Sequence, residues 1–179
     1  MHRSSRWDDA RRQLALACLL ATASVSFGAC DVGPVPPTPP IVPGDAAAPR
    51  EVNLIAKDYS FLPATLDLIP GETVLLHVIN GGLEIHEAII GDVAVQDAWE
   101  RAEAAVAGAP PGPTPVVTVP ADVLGLRIVV HSGERVDVVW TVPPRKVGQP
   151  GGGTLIVGCH IPGHWDRGMS IPVRWADAS

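Results

Sequence analysis

The chain has 179 residues, of which 46% are hydrophobic and 18% charged, a composition typical of a folded domain. Its 18 glycines and 19 prolines favour a loop-rich all-β domain over a helical bundle. The formal net charge is −6, or −8 without the first 29 residues, and this sign disfavours binding to nucleic acid. About 150 residues follow the N-terminal segment, a length that suits one domain and argues against a two-domain enzyme.

Residues 1–30 have the layout of a signal peptide. Four arginines precede an apolar run from Leu14 to Phe27, which ends in small residues and Cys30. The run is shorter than the roughly 18 to 20 residues that cross a bilayer as a helix, so we predict cleavage rather than a permanent anchor. The four residues that end at Cys30 (FGAC) resemble a bacterial lipobox, which predicts lipid attachment, and Arg11-Arg12 resemble a twin-arginine export signal. We therefore expect an exported protein, in the periplasm or attached to the outer face of a bacterial membrane through a lipidated Cys30.

Residues 31–50 are rich in proline, with seven prolines among small residues. This composition predicts an extended, semi-rigid linker between the signal and the domain, although an ordinary N-terminal tail has the same composition. The predicted organisation is thus a signal at 1–30, a linker at 31–50 and a domain at 51–179.

Beyond the linker, short runs with period-two hydrophobicity alternate with Gly and Pro turns, which is typical of strands. The clearest run is Arg135 to Val142, in which every second residue is apolar. The predicted strands are Glu51 to Asp58, Thr73 to Asn80, His86 to Asp92, Arg135 to Val142, Thr154 to Cys159 and Ser170 to Trp175. These six runs, with the return to strand near Val123, make about seven strands and predict an all-β fold, closed as an antiparallel β-sandwich.

One segment interrupts this pattern. Asp92 is a predicted N-cap for a short amphipathic helix that ends at Gly108, and a Pro-rich loop follows before the chain returns to strand near Val123. The apolar residues at helical spacing are Val95, Trp99, Ala102 and Val106. We interpret Val93 to Asp122 as an insertion packed on the sandwich edge, with docking of a partner as the alternative use of its apolar stripe.

The cysteines indicate a special role for one thiol. Cys18 lies inside the signal and Cys30 at its end, so Cys159 has no disulfide partner in the domain. An unpaired thiol in an oxidising compartment is commonly protected by a metal, or is buried and inert. This observation alone leaves both interpretations open.

The segment 158–169 (GCHIPGHWDRGM) carries the candidate chemistry, because Cys159, His164 and Met169 follow one another as C-x4-H-x4-M. Soft sulfur together with imidazole suits copper. Two histidines, one cysteine and a weak axial methionine make up the blue-copper site, so one further histidine is required.

His86 is the predicted second histidine, because it opens a strand after the Gly81-Gly82 turn, at one end of the sandwich. His77 and His131 are its rivals. We expect His77, in mid-strand, to be a packed histidine and His131, before a turn, to be solvated. His160 points away from Cys159 if the strand alternates, and its predicted role is structural.

These motifs resemble those of the cupredoxin family, the single-domain blue copper proteins, over Glu51 to Trp175. Asn80-Gly81 with His86 to Asp92 is similar to the family's first-ligand region, and the loop from Cys159 to Met169 is similar to its second. The spacing within the loop is most similar to that of rusticyanin. The loop is also similar to the last motif of multicopper oxidases, but the chain has no His-x-His pair with which to build a trinuclear centre.

The resemblance implies a cupredoxin-like antiparallel Greek-key β-sandwich that holds one type 1 copper ion. The ligands it implies are His86, Cys159, His164 and Met169. It further implies one-electron transfer, rather than enzymatic catalysis, through an exposed edge of His164 to a redox partner such as a cytochrome or terminal oxidase. Glu87, beside the first ligand, is expected to favour Cu(II).

Two other function classes stay open at this point. A periplasmic copper-binding or copper-tolerance protein would use the same four ligands without an electron-transfer role. A copper-free, adhesion-type sandwich is the remaining alternative. An oxidase or nitrite-reductase fragment is disfavoured, because the chain lacks further ligand sets.

Overall fold

The computed structural model describes residues 40–108, 117–145 and 153–178. The predicted signal peptide, the lipobox, most of the linker and the Pro-rich loop of the insertion lie outside these ranges, so those interpretations stay predictions. Among the described residues, none of the helices combines the length and the hydrophobicity of a membrane-spanning segment.

The described residues form two facing β-sheets. One sheet has the strand order β2-β1-β4-β7 and the other the order β3-β9-β8-β5-β6. The strands are β1 (Arg50–Lys57), β2 (Ser60–Leu62), β3 (Leu66–Leu68), β4 (Thr73–Asn80), β5 (His86–Gly91), β6 (Leu126–Val130), β7 (Arg135–Thr141), β8 (Ile156–Gly158) and β9 (Ser170–Trp175). The α-helix α1 (Val93–Val106) and two short 3-10 helices, Ala121–Val123 and Trp165–Arg167, complete the elements.

The predicted cupredoxin-like β-sandwich is confirmed, but its strands are not all antiparallel. β1 pairs with β4 in parallel, and β3 pairs with β9 in parallel. The reason is the connection: after β1 and β2 the chain crosses to the other sheet as β3 and then returns, so β4 enters beside β1 in the same direction. The sheets are therefore mixed.

The core lies between the two sheets and follows the period-two pattern of the strands. In β1 the residues Val52, Leu54 and Ala56 are buried, and in β4 the inward residues include Leu76 and Val78. Each large aliphatic side chain buried in this way stabilises the fold by about 1.5–3 kcal/mol. Their alternation with polar residues fixes which face of β1 turns inward.

Helix α1 begins and ends where the sequence predicts. The Asp92 side chain accepts a hydrogen bond from the Val95 N–H at 3.2 Å, and Gly108, with φ of +75°, follows the C-cap. The expected position at the sandwich edge is wrong, because the helix lies on the outer face of β5 and β8, two internal strands. Ile89 of β5 points away from the main core and packs with Val95 and Trp99 of the helix, which gives this outer face its own small core.

Candidate metal centre

Three predicted ligands meet at one end of the sandwich. The possible ligand atoms of His86, Cys159 and His164 all lie within 4.8 Å of one another, and all three residues are buried. The two Nδ1 atoms of the histidines are 3.2 Å apart, and Cys159 Sγ is 3.3 Å from His164 Nδ1. The structure thus brings together three of the four residues that the sequence predicts for copper.

The pairing of β5 with β8 explains how residues so far apart in sequence meet. The two strands are antiparallel, with Ile89 opposite Gly158, so the first residue of β5 lies beside the residues that follow β8. His86 and Cys159 therefore reach the same end of the sheet. Cys159 shares its inward face with Ala88, whereas its neighbour His160 turns to the helix side.

The loop from Cys159 to Met169 is closed by its own backbone. The His164 N–H donates to the Ile161 carbonyl at 2.9 Å, the Met169 N–H to the His164 carbonyl at 3.2 Å, and the Cys159 N–H to the Met169 carbonyl at 3.1 Å. Gly163, with a φ of +86°, allows the sharp turn immediately before His164. These bonds hold the backbone of the loop in the conformation that directs Cys159 and His164 to the cluster.

The Cys159 thiol is completely buried, and this burial raises its pKa to about 12. Without a metal the thiol stays protonated and unreactive. The Glu87 backbone N–H points at Sγ from 3.5 Å, as suits a sulfur that carries negative charge once a metal has replaced its proton. Soft sulfur and two imidazole nitrogens at this separation fit a copper ion.

Met169 is completely buried immediately before β9, and its carbonyl accepts a hydrogen bond from the Cys159 N–H. It thus lies in the same loop closure as the thiol. Its role as the axial ligand stays a prediction, as does the similarity of the loop to that of rusticyanin.

The rival histidines lie outside the cluster. His77 is buried in mid-strand β4, where its Nδ1 is 2.7 Å from Asp137 Oδ1, and His131 is exposed. His160 is buried on the helix side, with Nδ1 at 2.7 Å from Glu100 and Nε2 at 2.7 Å from Gln96. Its ring also stacks on Trp165, with centroids 4.5 Å apart, so its bonding is that of a structural residue.

The structure corrects the expected exposure of His164, which is only 3% exposed. Its Nε2 lies 3.0 Å from the Glu84 carboxylate, and the Nε2 of His86 lies 3.0 Å from that of Asp58. Both carboxylates face solvent, so they form a polar cover over the two imidazoles. Sequence reasoning missed this cover, because no local pattern links Asp58 or Glu84 to the ligands that they contact.

Both covering carboxylates carry negative charge at neutral pH. The hydrogen bond with His86 lowers the pKa of Asp58, and the hydrogen bonds with Tyr59 and His164 lower that of Glu84. A carboxylate on the outer nitrogen of a metal-ligating imidazole fixes its tautomer and increases its basicity.

Glu87 lies on the opposite face of β5, between the sheet and helix α1. It is completely buried, accepts a hydrogen bond from the His160 N–H at 3.1 Å, and pairs with Arg127 Nε at 2.7 Å. Arg127 also binds Glu103 at 3.1 Å and lies over the ring of Trp99. The charge of Glu87 is therefore partly offset by a neighbouring cation.

Comparison with known proteins places the chain beside copper proteins. It is 32% identical over 132 residues to the copper-resistant cuproprotein CopI of Rubrivivax gelatinosus. The matched segment covers 71% of this chain and 67% of CopI. Among solved structures, auracyanin A, a "blue" copper protein from Chloroflexus aurantiacus, superposes with a TM-score of 0.54 at 21% identity, over 72% of this chain and 99% of auracyanin A. Dithionite-reduced auracyanin from Roseiflexus castenholzii superposes with a TM-score of 0.53 at 17% identity, over 71% of this chain and 97% of that auracyanin. No family model matches the sequence.

Proposed function

The chain belongs to the cupredoxin family and binds copper, and from this premise we propose that it serves in copper tolerance, as an exported protein that holds one copper ion. The proposed ligands are His86, Cys159 and His164, with Met169 as the weak axial ligand. The protein acts as a copper-binding protein rather than as an enzyme.

The observation that carries this proposal is the convergence of three buried donor atoms that the fold holds ready for a metal. A type 1 copper ion supplies one-electron redox chemistry between Cu(II) and Cu(I). The residues of this chain supply the rest: the loop backbone fixes the thiol and His164, and the sandwich excludes water from the sulfur. The carboxylate cover supports storage rather than exchange, because it lies over the imidazole edge that a redox partner would approach.

Electron transfer to a cytochrome or terminal oxidase is the second candidate function. It is favoured by the closed ligand loop, because donors that are held in place before copper binds need little rearrangement when the metal changes its charge. The location proposed for either function is the periplasm or the outer face of the membrane, with attachment through a lipidated Cys30.

The first test of the copper site is the visible and paramagnetic-resonance spectrum of the purified protein after addition of Cu(II). We expect an intense thiolate-to-copper band that Cys159→Ser abolishes, because the thiolate is the source of the band. Cys30→Ser is the matched control, and it should leave the band unchanged. A pale Cu(II) spectrum that Cys159→Ser does not alter would contradict the proposed site.

A second measurement separates tolerance from electron transfer. For a tolerance protein we expect slow electron self-exchange of the copper-loaded form, and greater copper sensitivity of cells that lack the gene. Rapid, saturable electron exchange with a cytochrome, together with unchanged copper sensitivity of such cells, would instead support the electron-transfer role.

A further inference from the structure

We propose that Asp58 and Glu84 are positioning residues that hold both copper-ligating histidines with Nδ1 free for the metal and thereby raise the affinity for Cu(II). This inference rests on the proposed copper site. It concerns two side chains from the surface of the molecule, each in contact with a different ligand.

Asp58 is fixed in place by the backbone on the far side of the His86 ring. Its Oδ1 lies 3.0 Å from His86 Nε2, and the carboxylate also accepts the N–H groups of Leu83 at 3.0 Å and Glu84 at 3.3 Å. Three donors therefore converge on one carboxylate. The side chain cannot rotate away from the imidazole without losing the hydrogen bonds that shape the 81–85 loop.

Gly82 is the residue that allows this contact. A Cβ atom at position 82 would lie 2.3 Å from Asp58 Oδ1 and 3.0 Å from His86 Nε2, both shorter than ordinary contacts. Only glycine leaves room for the carboxylate and the ring to meet. The glycine at position 82, in the turn that precedes the first predicted ligand, thus makes the contact between Asp58 and His86 possible.

Glu84 is held on His164 by a tyrosine. One carboxylate oxygen of Glu84 lies 3.0 Å from His164 Nε2, and the other accepts the Tyr59 hydroxyl at 2.6 Å. The Tyr59 ring meets the His164 ring edge-on, with centroids 5.2 Å apart, and the Arg167 guanidinium lies 4.0 Å above the Tyr59 ring.

Tyr59 adopts this position with a φ of +66°, a left-handed conformation that is rare for a bulky residue. Such strain persists where the surrounding contacts hold it, and it clusters at functional sites. The strained turn delivers two consecutive side chains, Asp58 to one ligand directly and Tyr59 to the other through Glu84. One local feature of the backbone therefore serves both histidines.

These contacts determine which ring nitrogen carries the proton. A neutral histidine that donates from Nε2 to a carboxylate has a lone pair at Nδ1. With both rings so arranged, two lone pairs face each other across 3.2 Å beside the Cys159 sulfur, an arrangement that a cation stabilises. The negative charge behind each ring favours Cu(II) over Cu(I), because the more highly charged ion gains more from it.

The first arm of the test needs no copper. We would record the ¹⁵N shifts of the histidine rings in the metal-free exported chain, for the wild type, Asp58→Asn and Glu84→Gln. We expect His86 and His164 of the wild type to carry the proton on Nε2, and each variant to lose this preference at the histidine that its carboxylate contacts. Unchanged tautomers in both variants would overturn the proposal.

The second arm measures affinity for Cu(II) and Cu(I) by competition with chelators. Loss of a residue that hydrogen-bonds to a metal-ligating histidine lowers metal affinity by about 10–100-fold. We therefore expect a decrease in this range for the affinity of Asp58→Asn and Glu84→Gln for Cu(II), and a smaller decrease for Cu(I). The matched control is Asp67→Asn, which removes a carboxylate from an ion pair with Arg174 elsewhere on the surface. Cu(II) affinities of Asp58→Asn and Glu84→Gln equal to those of the control would overturn the proposal.

Tyr59→Phe provides an independent variant in case the charge-neutral substitutions disturb folding. It keeps the ring against His164 and removes only the hydroxyl that holds Glu84. We expect a loss of the His164 tautomer preference but not of that of His86; loss at neither ring would count against the role of Glu84. A wild-type protein without a thiolate-to-copper band would overturn the proposed function, while the metal-free ¹⁵N measurement would still decide the positioning role.

Discussion

Strand β5 carries buried polar side chains on both of its faces, and the two faces satisfy them by different means. On the inner face, His86 meets His164 and Cys159, and three donor atoms converge. On the outer face, Glu87 meets Arg127 and the His160 backbone, and anions alternate with a cation.

The difference lies in where the compensating charge comes from. Burial of a charged group is costly unless the group is paired and hydrogen-bonded. The outer face contains its own cation, so it is complete as folded. The inner face brings the lone pairs of two histidines and a cysteine together, with no cationic side chain among the described residues of the cluster, and carboxylates hold the Nε2 atoms of both rings. A buried polar cluster of the first kind is compensated within the folded chain, whereas one of the second kind is prepared for a ligand.

The largest expected effect comes from removing the outer-face cation. Arg127→Met leaves the completely buried Glu87 without its cation. Breaking a fully buried pair costs about 3–5 kcal/mol of unfolding free energy, and we expect a loss near the lower end of this range because the Arg127 side chain is itself 30% exposed. The measurement is urea unfolding of the metal-free protein. The thiolate-to-copper band of the folded variant should stay, because Arg127 lies on the opposite face from the ligands. A variant of unchanged stability would remove the distinction between the two faces.

Copper itself should supply the charge that the inner face lacks. A ligand that binds only the folded protein, at 100 times its dissociation constant, stabilises it by about 2.7 kcal/mol. We therefore expect Cu(II) to raise the melting temperature of the wild type and to have little effect on Cys159→Ala. An equal rise in both proteins would show that copper binds elsewhere.

A smaller effect is expected at Glu103, where two carboxylates share Arg127. Burial, followed by repulsion from Glu87, raises the pKa of Glu103 despite the attraction of Arg127, with Glu100 adding further repulsion. A carboxyl group with a raised pKa destabilises the folded state as the pH rises through that value. Glu103→Gln should therefore increase stability at pH 7, and the gain should disappear below about pH 4.5. Thermal melts between pH 4 and pH 8 test this, and a variant less stable than the wild type at pH 7 contradicts it.

The smallest effect is expected on the reduction potential of the copper, when the charge of Glu87 on the outer face of β5 is removed. Glu87 is adjacent to the proposed ligand His86 in sequence, and its negative charge favours Cu(II), so Glu87→Gln should raise the reduction potential. The shift should be small, because Arg127 offsets much of that charge. Voltammetry of the copper-loaded variant gives the answer; an unchanged or lower potential would show that the outer face does not influence the metal.

Much of the fold was predictable because it is local. The apolar run Thr73–Asn80 and the alternation in Ser170–Trp175 gave the bounds of β4 and β9 as the structure has them, and Asp92 caps α1 as predicted. The three-residue strands β2 and β3 are too short to show a period. β6 begins only at Leu126, because the 3-10 helix Ala121–Val123 and the left-handed Gly125 precede it.

The candidate site also has a part that the local sequence predicts and a part that depends on contacts between residues distant in the chain. The residues of the Cys159 to Met169 loop are close in sequence, and their chemistry indicates a metal without knowledge of the fold. The contacts of Asp58 with His86 and of Glu84 with His164 join residues 28 and 80 positions apart. The first depends on a strained turn and on the packing of two loops, neither of which has a period or a motif.

The side chains of Gln96 and Trp165, which cover β8, leave no room for a larger residue at position 158. Gly158 occupies the position at which multicopper oxidases, in the motif that the ligand loop resembles, carry a further histidine. Here a Cβ atom would lie 2.5 Å from Gln96 Oε1 and 2.6 Å from the Trp165 ring. A histidine at position 158 would therefore not fit beside Gln96 of the helix and the Trp165 ring unless both side chains moved.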